Sequence, residues 1–389
     1  MTETPVPNTF SSPRNLFTSA DMSTDPPNVE LGTFIDSHLS PSVAKELIAT
    51  AQALVGSPGK GIYATDESPE AIALLLAPSE DSDEHGNLSV SENENLERRK
   101  AWREAAYEAV PNEHVSGVIL YSDTLIDHKL GTILSNKGIV VGVRANGELA
   151  PLPSSPFEFI VQGLDDLLSR LQAARAAGAR FSKWRVPIAC TSVALGLPSQ
   201  LSLDIQAETL ATYAAISQQA GLVPIVEPDV EFSADADLAR SVEVHEKVIG
   251  KIYSRCREYG VLLEGSVIKP SYPQPGLKHP SRQNTTAKEI ALATASVISR
   301  SVPAAVAGVA FLSGGLPTPV AISYLSAVNN LVNSSSSNSP FSRLPPLTFS
   351  YGRAIQGKAL EHWSKGEKDS MKRAIQEACQ ACSKAARGE

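Results

Sequence analysis

The sequence has little cysteine and no long apolar segment. Four cysteines in 389 residues are too few for a disulfide framework, which favours a protein of the reducing cytoplasm. Cys379 and Cys382 form a lone C-x-x-C, and we expect two surface or half-buried thiols there, not a metal or redox site. The most apolar long run, Val302–Leu312, is shorter than the roughly 20 residues of a membrane-spanning helix, so no membrane partner is expected.

Positive charge and histidine pairs are also scarce. Lys and Arg number 34 against 42 Asp and Glu, which gives a formal net charge of −8. Such a chain is a poor partner for nucleic acid or an anionic membrane, although it can hold a small basic pocket for an anionic metabolite. The seven histidines are scattered, with none at helical i, i+3 or i+4 spacing, so we expect neither a metal site nor a cofactor.

The chain divides into an N-terminal arm and one domain. Residues 1–30 are rich in Pro and Ser, lack the basic start and apolar stretch of a secretory signal, and predict a disordered arm; a transit peptide fits them less well. Residues 31–389 predict a single domain with a C-terminal helical tail. Within it we expect helices over Pro41–Ala53 and Arg98–Val110, and an exposed acidic loop over Ser79–Glu97.

Short apolar or β-branched runs alternate with amphipathic helical stretches along this domain. Such alternation predicts parallel strands joined by crossover helices, and eight runs predict a closed (β/α)8 TIM barrel. An open doubly wound sheet is the structural alternative, but neither of its usual phosphate-loop motifs, G-x-G-x-x-G and G-x-x-x-x-G-K-S/T, occurs. The eight runs are Gly61–Asp66, Gly117–Tyr121, Ile139–Arg144, Phe181–Ile188, Leu222–Asp229, Val261–Lys269, Gly308–Ser313 and Leu347–Arg353.

Charged or hydroxyl residues stand at the ends of most of these runs. In a barrel, the carboxyl ends of the strands converge on one cavity, where barrel enzymes keep their active sites. A single end-of-strand charge has an ordinary structural explanation, but the repetition favours an active site. The residues concerned are Asp66, Arg144, Lys183, Arg185, Glu227, Asp229, Lys269, Ser313 and Arg353.

Lys269 has the setting of an amine nucleophile. It ends a strongly apolar run and precedes a proline, so loss of water disfavours its charged form, and a second cation such as Lys183 would lower its pKa further. These conditions suit Schiff-base formation with a carbonyl substrate.

Glu227 and Asp229 lie two residues apart on one strand face, and with Asp66 they offer general acid/base groups. A purely structural ion pair between Glu227 and Lys183 is the alternative.

Two segments predict an anion site. The small residues of F-L-S-G-G allow backbone N–H groups to approach a phosphate, and the S-Y-G-R segment supplies a bidentate arginine. Two tight turns with an incidental arginine are the alternative. The candidate phosphate-binding residues are Ser313, Gly314, Gly315, Ser350, Gly352 and Arg353.

Seven blocks together resemble class I fructose-bisphosphate aldolase, in the order and spacing of that family, over roughly residues 40 to 385. They are GKGIYATDES from Gly59, GVILYSDTL from Gly117, FSKWRVPI from Phe181, GLVPIVEPDV from Gly221, LLEGSVIKPS from Leu262, VAFLSGG from Val309 and LTFSYGRAIQ from Leu347.

The resemblance implies metal-independent, reversible cleavage of fructose 1,6-bisphosphate to dihydroxyacetone phosphate and glyceraldehyde 3-phosphate, a step of glycolysis and gluconeogenesis, by a homotetramer. Carried over by position, Lys269 would form the Schiff base, Lys183 would support it, Glu227 would dehydrate the carbinolamine, and Asp66 would handle the proton of the hydroxyl beside the broken bond. One phosphate would be held by the F-L-S-G-G and S-Y-G-R residues; the residues near the other phosphate or the substrate's edge would be Ser68, Arg144 and Arg185.

The sequence departs from the family pattern in four places. Arg144 stands where Lys is usual, and Asp229 where Glu is usual. After the ATDES block, the family's small polar stretch and basic pair are replaced by PEAIALLL, so Ala71, Leu74 and Leu75 offer the distal phosphate no contact. No tyrosine follows Tyr351, so we expect the proton step of the family's C-terminal tyrosine to be absent or replaced.

Three functions remain open from the sequence. The first is an active fructose 1,6-bisphosphate aldolase. The second keeps the Schiff-base chemistry for another ketose phosphate, with an uncharged or differently charged far end. The third is an inactive barrel that serves as a binding or scaffold protein, which the retained Lys269, Lys183, Glu227, Asp66 and Arg353 argue against.

Overall fold

In the computed structural model, which describes residues 39–77, 91–153 and 155–389, eight parallel strands close into a barrel. This confirms the predicted (β/α)8 fold. Around the barrel the strand order is β1-β10-β9-β8-β7-β6-β3-β2. The barrel strands are β1 (Gly61–Thr65), β2 (Val115–Leu120), β3 (Val140–Arg144), β6 (Phe181–Ile188), β7 (Val223–Val230), β8 (Val267–Ile268), β9 (Val309–Phe311) and β10 (Leu347–Tyr351).

Helices follow most strands and form the outer layer. In the described residues none is long and apolar enough to cross a bilayer. The helices are α1 (Pro41–Val55), α2 (Pro69–Leu76), α3 (Glu92–Ala109), α4 (Ser122–Ile126), α5 (Gly131–Ser135), α6 (Leu167–Ala176), α7 (Gln200–Gln219), α8 (Leu238–Glu258), α9 (Ala287–Ser301), α10 (Thr318–Asn333), α11 (Arg353–Ser364) and α12 (Lys368–Ala386).

Helix α1 covers the amino-terminal end of the barrel. Its apolar side chains meet one glycine in the first half of β2 and one just before β9: a Cβ added at Gly117 would lie 2.6 Å from Leu54, and one added at Gly308 would lie 2.6 Å from Val55. These close approaches need residues without a side chain. The opposite end of the barrel, where the strands finish, is left for the cavity.

Inside the barrel, two phenylalanines occupy the space that neighbouring glycines leave. A Cβ on Gly142 would lie 2.3 Å from the ring of Phe181, and one on Gly61 would lie 2.6 Å from the ring of Phe349. Both rings are fully buried. Large and small residues therefore alternate between adjacent strands, which fills the barrel floor below the polar strand ends.

Three sequence predictions need correction. Helix α3 begins at Glu92, so Glu92–Glu97 are helical and not loop; the Ser91 side chain caps the helix by accepting from Glu94 N. The run predicted as a strand from Val261 contains a 3₁₀ turn, Leu263–Gly265, and only Val267–Ile268 pair as a strand. Cys379 and Cys382 are fully buried on the inner face of α12, not half-exposed.

Several features were not predicted, and two predictions lie outside the described residues. A two-stranded antiparallel hairpin of β4 (Leu149–Leu152) and β5 (Ser155–Val161) interrupts the alternation between β3 and β6. Helix α2 was also not predicted. The arm over residues 1–30, and residues 79–90 of the acidic loop, fall outside the part of the chain that the structure describes.

Candidate active site

A cavity of about 1080 Å³ opens at the carboxyl ends of the barrel strands. Every predicted site residue except Ser68 lines it. Ser68 instead caps α2, where its hydroxyl accepts a hydrogen bond from Ala71 N at 3.3 Å. The strand-end charges therefore converge as the sequence predicted, because the carboxyl ends of parallel barrel strands meet at one rim.

At the bottom of the cavity, one carboxylate lies between two buried lysines. Glu227 Oε1 is 3.3 Å from Lys269 Nζ, and Glu227 Oε2 is 2.8 Å from Lys183 Nζ. The three residues come from β7, from the residue after β8, and from β6, which are neighbours in the barrel. The backbone N–H of Lys269 donates to Val226 O at 2.8 Å, which fixes its height relative to Glu227.

Both lysines titrate well below the ordinary range. Burial lowers the pKa of Lys269 to about 8, and the positive charge of Arg185 acts in the same direction. Burial also lowers the pKa of Lys183 to about 8, with a further contribution from the charge of Lys269. A substantial fraction of each side chain is therefore a neutral amine near pH 8, the form that can attack a carbonyl.

Asp66 faces the same pair of lysines from β1. Its Oδ2 accepts a hydrogen bond from Lys183 Nζ at 2.8 Å. Burial by itself would raise the pKa of this carboxyl, but the charges of Lys183 and Lys269 outweigh it and hold the pKa well below its usual range. Asp66 is therefore ionised at any working pH and is ready to accept a proton from a hydroxyl group.

Asp229 forms its ion pair with an arginine, whereas Glu227 pairs with the two lysines. Arg185 Nε donates to Asp229 Oδ2 at 2.8 Å, and its Nη2 lies 3.5 Å from Glu231 Oε1. The backbone N–H of Arg185 donates to Asn146 Oδ1 at 3.2 Å. Asp229 therefore holds Arg185 at the side of the cavity.

The other side of the cavity presents hydrogen-bond donors at β9 and β10. Gly314 and Gly315 have φ angles of +57° and +83°, which glycine adopts readily, and a Cβ at Gly315 would lie 2.9 Å from Arg353 Nη2. Arg353 is exposed and, among the described residues, forms no ion pair. Together with Gly352 it starts α11, whose N-terminal N–H groups favour an anion.

Ser350 adds an unsatisfied hydroxyl to this side. The residue is 1% exposed, and its Oγ has no hydrogen-bond partner among the described residues. Because Ser350 also lines the cavity, its hydroxyl is available to a ligand bound there. Ser313, Ser350 and Arg353 line the cavity together, as expected for a phosphate site.

Arg144, at the end of β3, is already engaged. Its Nε donates to Asn146 O and its Nη2 to Gly147 O, each at 3.2 Å, and Nη2 lies 3.3 Å from Glu148 Oε1. Its guanidinium also lies 5.6 Å from the centre of the Tyr121 ring. Arg144 is therefore tied to its own loop.

Nowhere in the described ranges do three or more His, Cys, Asp or Glu side chains group to hold a metal ion.

Comparison with known proteins finds one family over most of the chain. The family model described as "Fructose-bisphosphate aldolase class-I" matches residues 46–389. The chain belongs to the class I fructose-bisphosphate aldolase family. Fructose-bisphosphate aldolase B of Gallus gallus is 39% identical over 347 residues, covering 87% of this chain and 88% of that protein. The Dictyostelium discoideum fructose-bisphosphate aldolase is 38% identical over 338 residues, covering 85% and 88%.

A solved aldolase structure confirms the fold. The Plasmodium falciparum fructose-bisphosphate aldolase, crystallised with TRAP and a small-molecule inhibitor, superposes with a TM-score of 0.80 at 33% sequence identity. The match covers 90% of this chain and 96% of that structure. The similarity therefore extends over nearly the whole length of both aldolases.

Sequence reasoning missed parts of this aldolase's cavity. Glu67 lines it and forms a 2.8 Å ion pair with the buried Arg103; its position directly after Asp66 was the available signal. Arg282 lines it too, with its guanidinium 4.9 Å from the centre of the Phe232 ring, but it comes from a 3₁₀ turn that the pattern does not predict. Sequence reasoning also did not bring together four leucines that line the mouth of the cavity: Leu74, Leu75, Leu149 and Leu277.

Proposed function

We propose that this aldolase reversibly cleaves fructose 1,6-bisphosphate to dihydroxyacetone phosphate and glyceraldehyde 3-phosphate through a Schiff base on Lys269. The observation that carries this proposal is the position of the Glu227 carboxylate between two buried lysines, each with a pKa lowered to about 8. The neutral amine supplies the electron pair for imine formation, and the carboxylate 3.3 Å away can take a proton from the attacking nitrogen and return it to the leaving hydroxyl.

In the first stage, neutral Lys269 attacks the ketone carbon C2 of the open-chain sugar. The resulting carbinolamine loses its hydroxyl as water when Glu227, in its protonated form, supplies a proton, and an iminium ion remains. Lys183, which pairs with both Glu227 and Asp66, keeps a positive charge beside these carboxylates and orients them. No metal is needed, because the iminium is the electron sink.

In the second stage, ionised Asp66 takes the proton from the C4 hydroxyl. The C3–C4 bond breaks, its electron pair forms an enamine with the iminium, and the C4 carbonyl leaves as the aldehyde. Protonation of the enamine carbon followed by hydrolysis then frees dihydroxyacetone phosphate and Lys269. Meanwhile Arg353, Ser350 and the Ser313–Gly315 turn hold the C1 phosphate by charge-assisted and backbone hydrogen bonds.

The test is a covalent trap. Full-length protein is incubated with dihydroxyacetone phosphate and borohydride, and the adduct is located by peptide mapping. We expect the triose on Lys269, no adduct in Lys269→Met, and an unchanged adduct in the control Lys288→Met, since Lys288 is an exposed lysine on α9. Fructose 1,6-bisphosphate cleavage should persist in EDTA. An adduct on Lys183, or activity that EDTA abolishes and zinc restores, would reject the proposal.

We also propose that the enzyme works in the cytoplasm as a homotetramer, as the family resemblance implies. An exposed apolar region supports association between copies: Phe157 is 70% exposed and Leu201 is 53% exposed. The backbone N–H of Ser199 donates to Glu158 Oε1 at 2.8 Å, which ties β5 to the start of α7, the two elements that carry these side chains. Light scattering of the wild type and of Phe157→Ser tests this; a monomeric wild type would contradict it.

A further inference from the structure

Four exposed leucines, Leu74, Leu75, Leu149 and Leu277, line the mouth of the active-site cavity; we call them the leucine rim. They are 49%, 45%, 42% and 60% exposed, respectively. They come from α2, from β4 and from the loop after β8, so three separate elements bring apolar side chains to one opening. A polar cleft that opens through such a rim differs from an ordinary surface, where exposed leucines are scattered.

The α2 part of the rim follows from the helix register. Ala71, Leu74 and Leu75 stand at i, i+3 and i+4, which places them on one face, and all three are exposed and line the cavity. Ile72 and Leu76, on the other face, are buried in the core. The core contact of α2 is therefore complete without the leucines at the mouth, so the fold does not require them there.

Positive charge near the rim is already taken up. Arg144 donates to two carbonyls of its own loop and lies beside Glu148. Arg282 donates to Gln274 Oε1 at 3.2 Å and also to Pro275 O. Among the described cavity cations, Arg353 has neither a carboxylate nor a carbonyl partner, and it lies at the phosphate site beside Gly315. The unpaired positive charge and the apolar surface therefore lie in different parts of the cavity.

We infer that the leucine rim is a subsite for an uncharged aliphatic chain. Among ketose 1-phosphates, this aldolase would then favour those whose far end is a longer aliphatic chain over those whose far end is short or polar. This inference rests on the proposed function, because the rim would contact the aldehyde half of the substrate while Lys269 holds the triose half.

The reaction balances with the same groups. The enamine of dihydroxyacetone phosphate on Lys269 adds through its C3 carbon to the aldehyde carbon, and this forms the C3–C4 bond. The aldehyde oxygen receives a proton that the Lys183 ammonium supplies through Asp66, to which it donates a hydrogen bond at 2.8 Å, and the iminium is left on Lys269. Water then hydrolyses the iminium and releases the ketose 1-phosphate. No oxidant or reductant takes part.

The experiment measures aldol addition of dihydroxyacetone phosphate to propanal, butanal, pentanal and hexanal by the full-length protein. Each methylene group buried against the rim should raise kcat/KM for the aldehyde about fourfold. The double variant Leu74→Ser/Leu75→Ser should abolish this dependence on chain length. The matched control Leu292→Ser, which removes an exposed leucine of α9 outside the cavity, should keep it.

Two results would overturn the inference. One is a kcat/KM for aliphatic aldehydes that does not change with chain length in the wild type. The other is a chain-length dependence that the double variant retains. In either case, borohydride trapping of the triose on Lys269 is measured alongside, since it does not involve the aldehyde. A normal adduct would then leave the proposed function intact, whereas a missing adduct would mean that the proposed function itself has failed.

Discussion

His245 Nε2 lies 3.0 Å from the hydroxyl of Ser271, and this contact joins α8 to the segment that follows Lys269. His245 Nδ1 lies 2.7 Å from Ser241 O, and a carbonyl only accepts, so the neutral ring carries its proton on Nδ1. Nε2 therefore accepts from Ser271, whose oxygen accepts from Val230 N at 3.0 Å. Ser271 thus continues the link between β7 and β8 two residues beyond Lys269.

This arrangement predicts a pH-dependent stability. Burial lowers the pKa of His245 from 6.5 to about 4. The unfolded chain therefore binds a proton at a higher pH than the folded chain, and the free energy of unfolding falls as the pH falls from 6.5 to 4. A shift of this size corresponds to about 3 kcal/mol.

Urea denaturation at pH 7 and pH 4.5 checks that prediction. The wild type should lose more stability between these two pH values than His245→Asn, which has no group titrating at this position. Carboxylates titrate in both proteins, so the difference between the two isolates the histidine. Equal losses would show that His245 is not buried in its neutral form.

The lowered pKa of Lys269 predicts the pH dependence of Schiff-base formation. Only the neutral amine attacks the ketone, so the rate of trapping dihydroxyacetone phosphate with cyanoborohydride should rise about tenfold per pH unit below the pKa of about 8 and level off above it. Arg185→Gln should move the midpoint upward, because the charge of Arg185 helps to lower this pKa. A midpoint near 10 in the wild type would contradict the buried position of the lysine.

Arg353 and Arg144 should behave differently towards substrates. Arg353→Ala should lower kcat/KM about 10- to 150-fold for fructose 1,6-bisphosphate and fructose 1-phosphate alike, since it loses a charge-assisted contact to the shared phosphate. Arg144→Ala should affect the bisphosphate selectively, and by about tenfold or less, because Arg144 must first leave the carbonyls of Asn146 and Gly147. Steady-state kinetics of both variants on both sugars decides this. An equal loss on both sugars in Arg144→Ala would remove it from the distal end of the site.

Asp66→Asn should separate bond cleavage from Schiff-base formation. The amide keeps the size of the side chain but cannot take a proton, so kcat for cleavage should fall about 10²- to 10⁴-fold. Trapping of dihydroxyacetone phosphate should persist, because loss of this negative charge further lowers the pKa of Lys269 and increases its neutral fraction. A parallel loss of trapping and cleavage would assign Asp66 to an earlier step.

The sequence predicted the barrel and its charged rim because strand ends carry a direct signal. A charge after an apolar run, as at Asp66 or Lys269, marks the point where a buried strand reaches the cavity. Helix α2 also carried a sequence signal, because Ser68 followed by Pro69 is typical of a helix start. It was missed because the apolar run that follows has no polar face from which a helical period could be recognised.

Other features depend on tertiary contacts that no local pattern contains. The 3₁₀ turn Leu263–Gly265 lies within an apolar run typical of a strand, and Gly265 packs against Leu47 of α1, far away in the chain. Arg144 was expected near the distal phosphate, yet its side chain folds back on its own loop. Which of several nearby acceptors an arginine chooses depends on the path of the backbone, and the sequence does not specify that path.

Helix α1 gives the barrel a blind end. With Leu54 and Val55 set against Gly117 and Gly308, the amino-terminal end is covered, and traffic passes through the mouth at the carboxyl ends of the strands. Lys269 sits at the inner end of that passage. In the reaction proposed above, a triose bound to it would therefore be the last molecule to leave, and the aldehyde, nearer the opening, would depart first. In synthesis the same geometry makes the ketone the first molecule to enter.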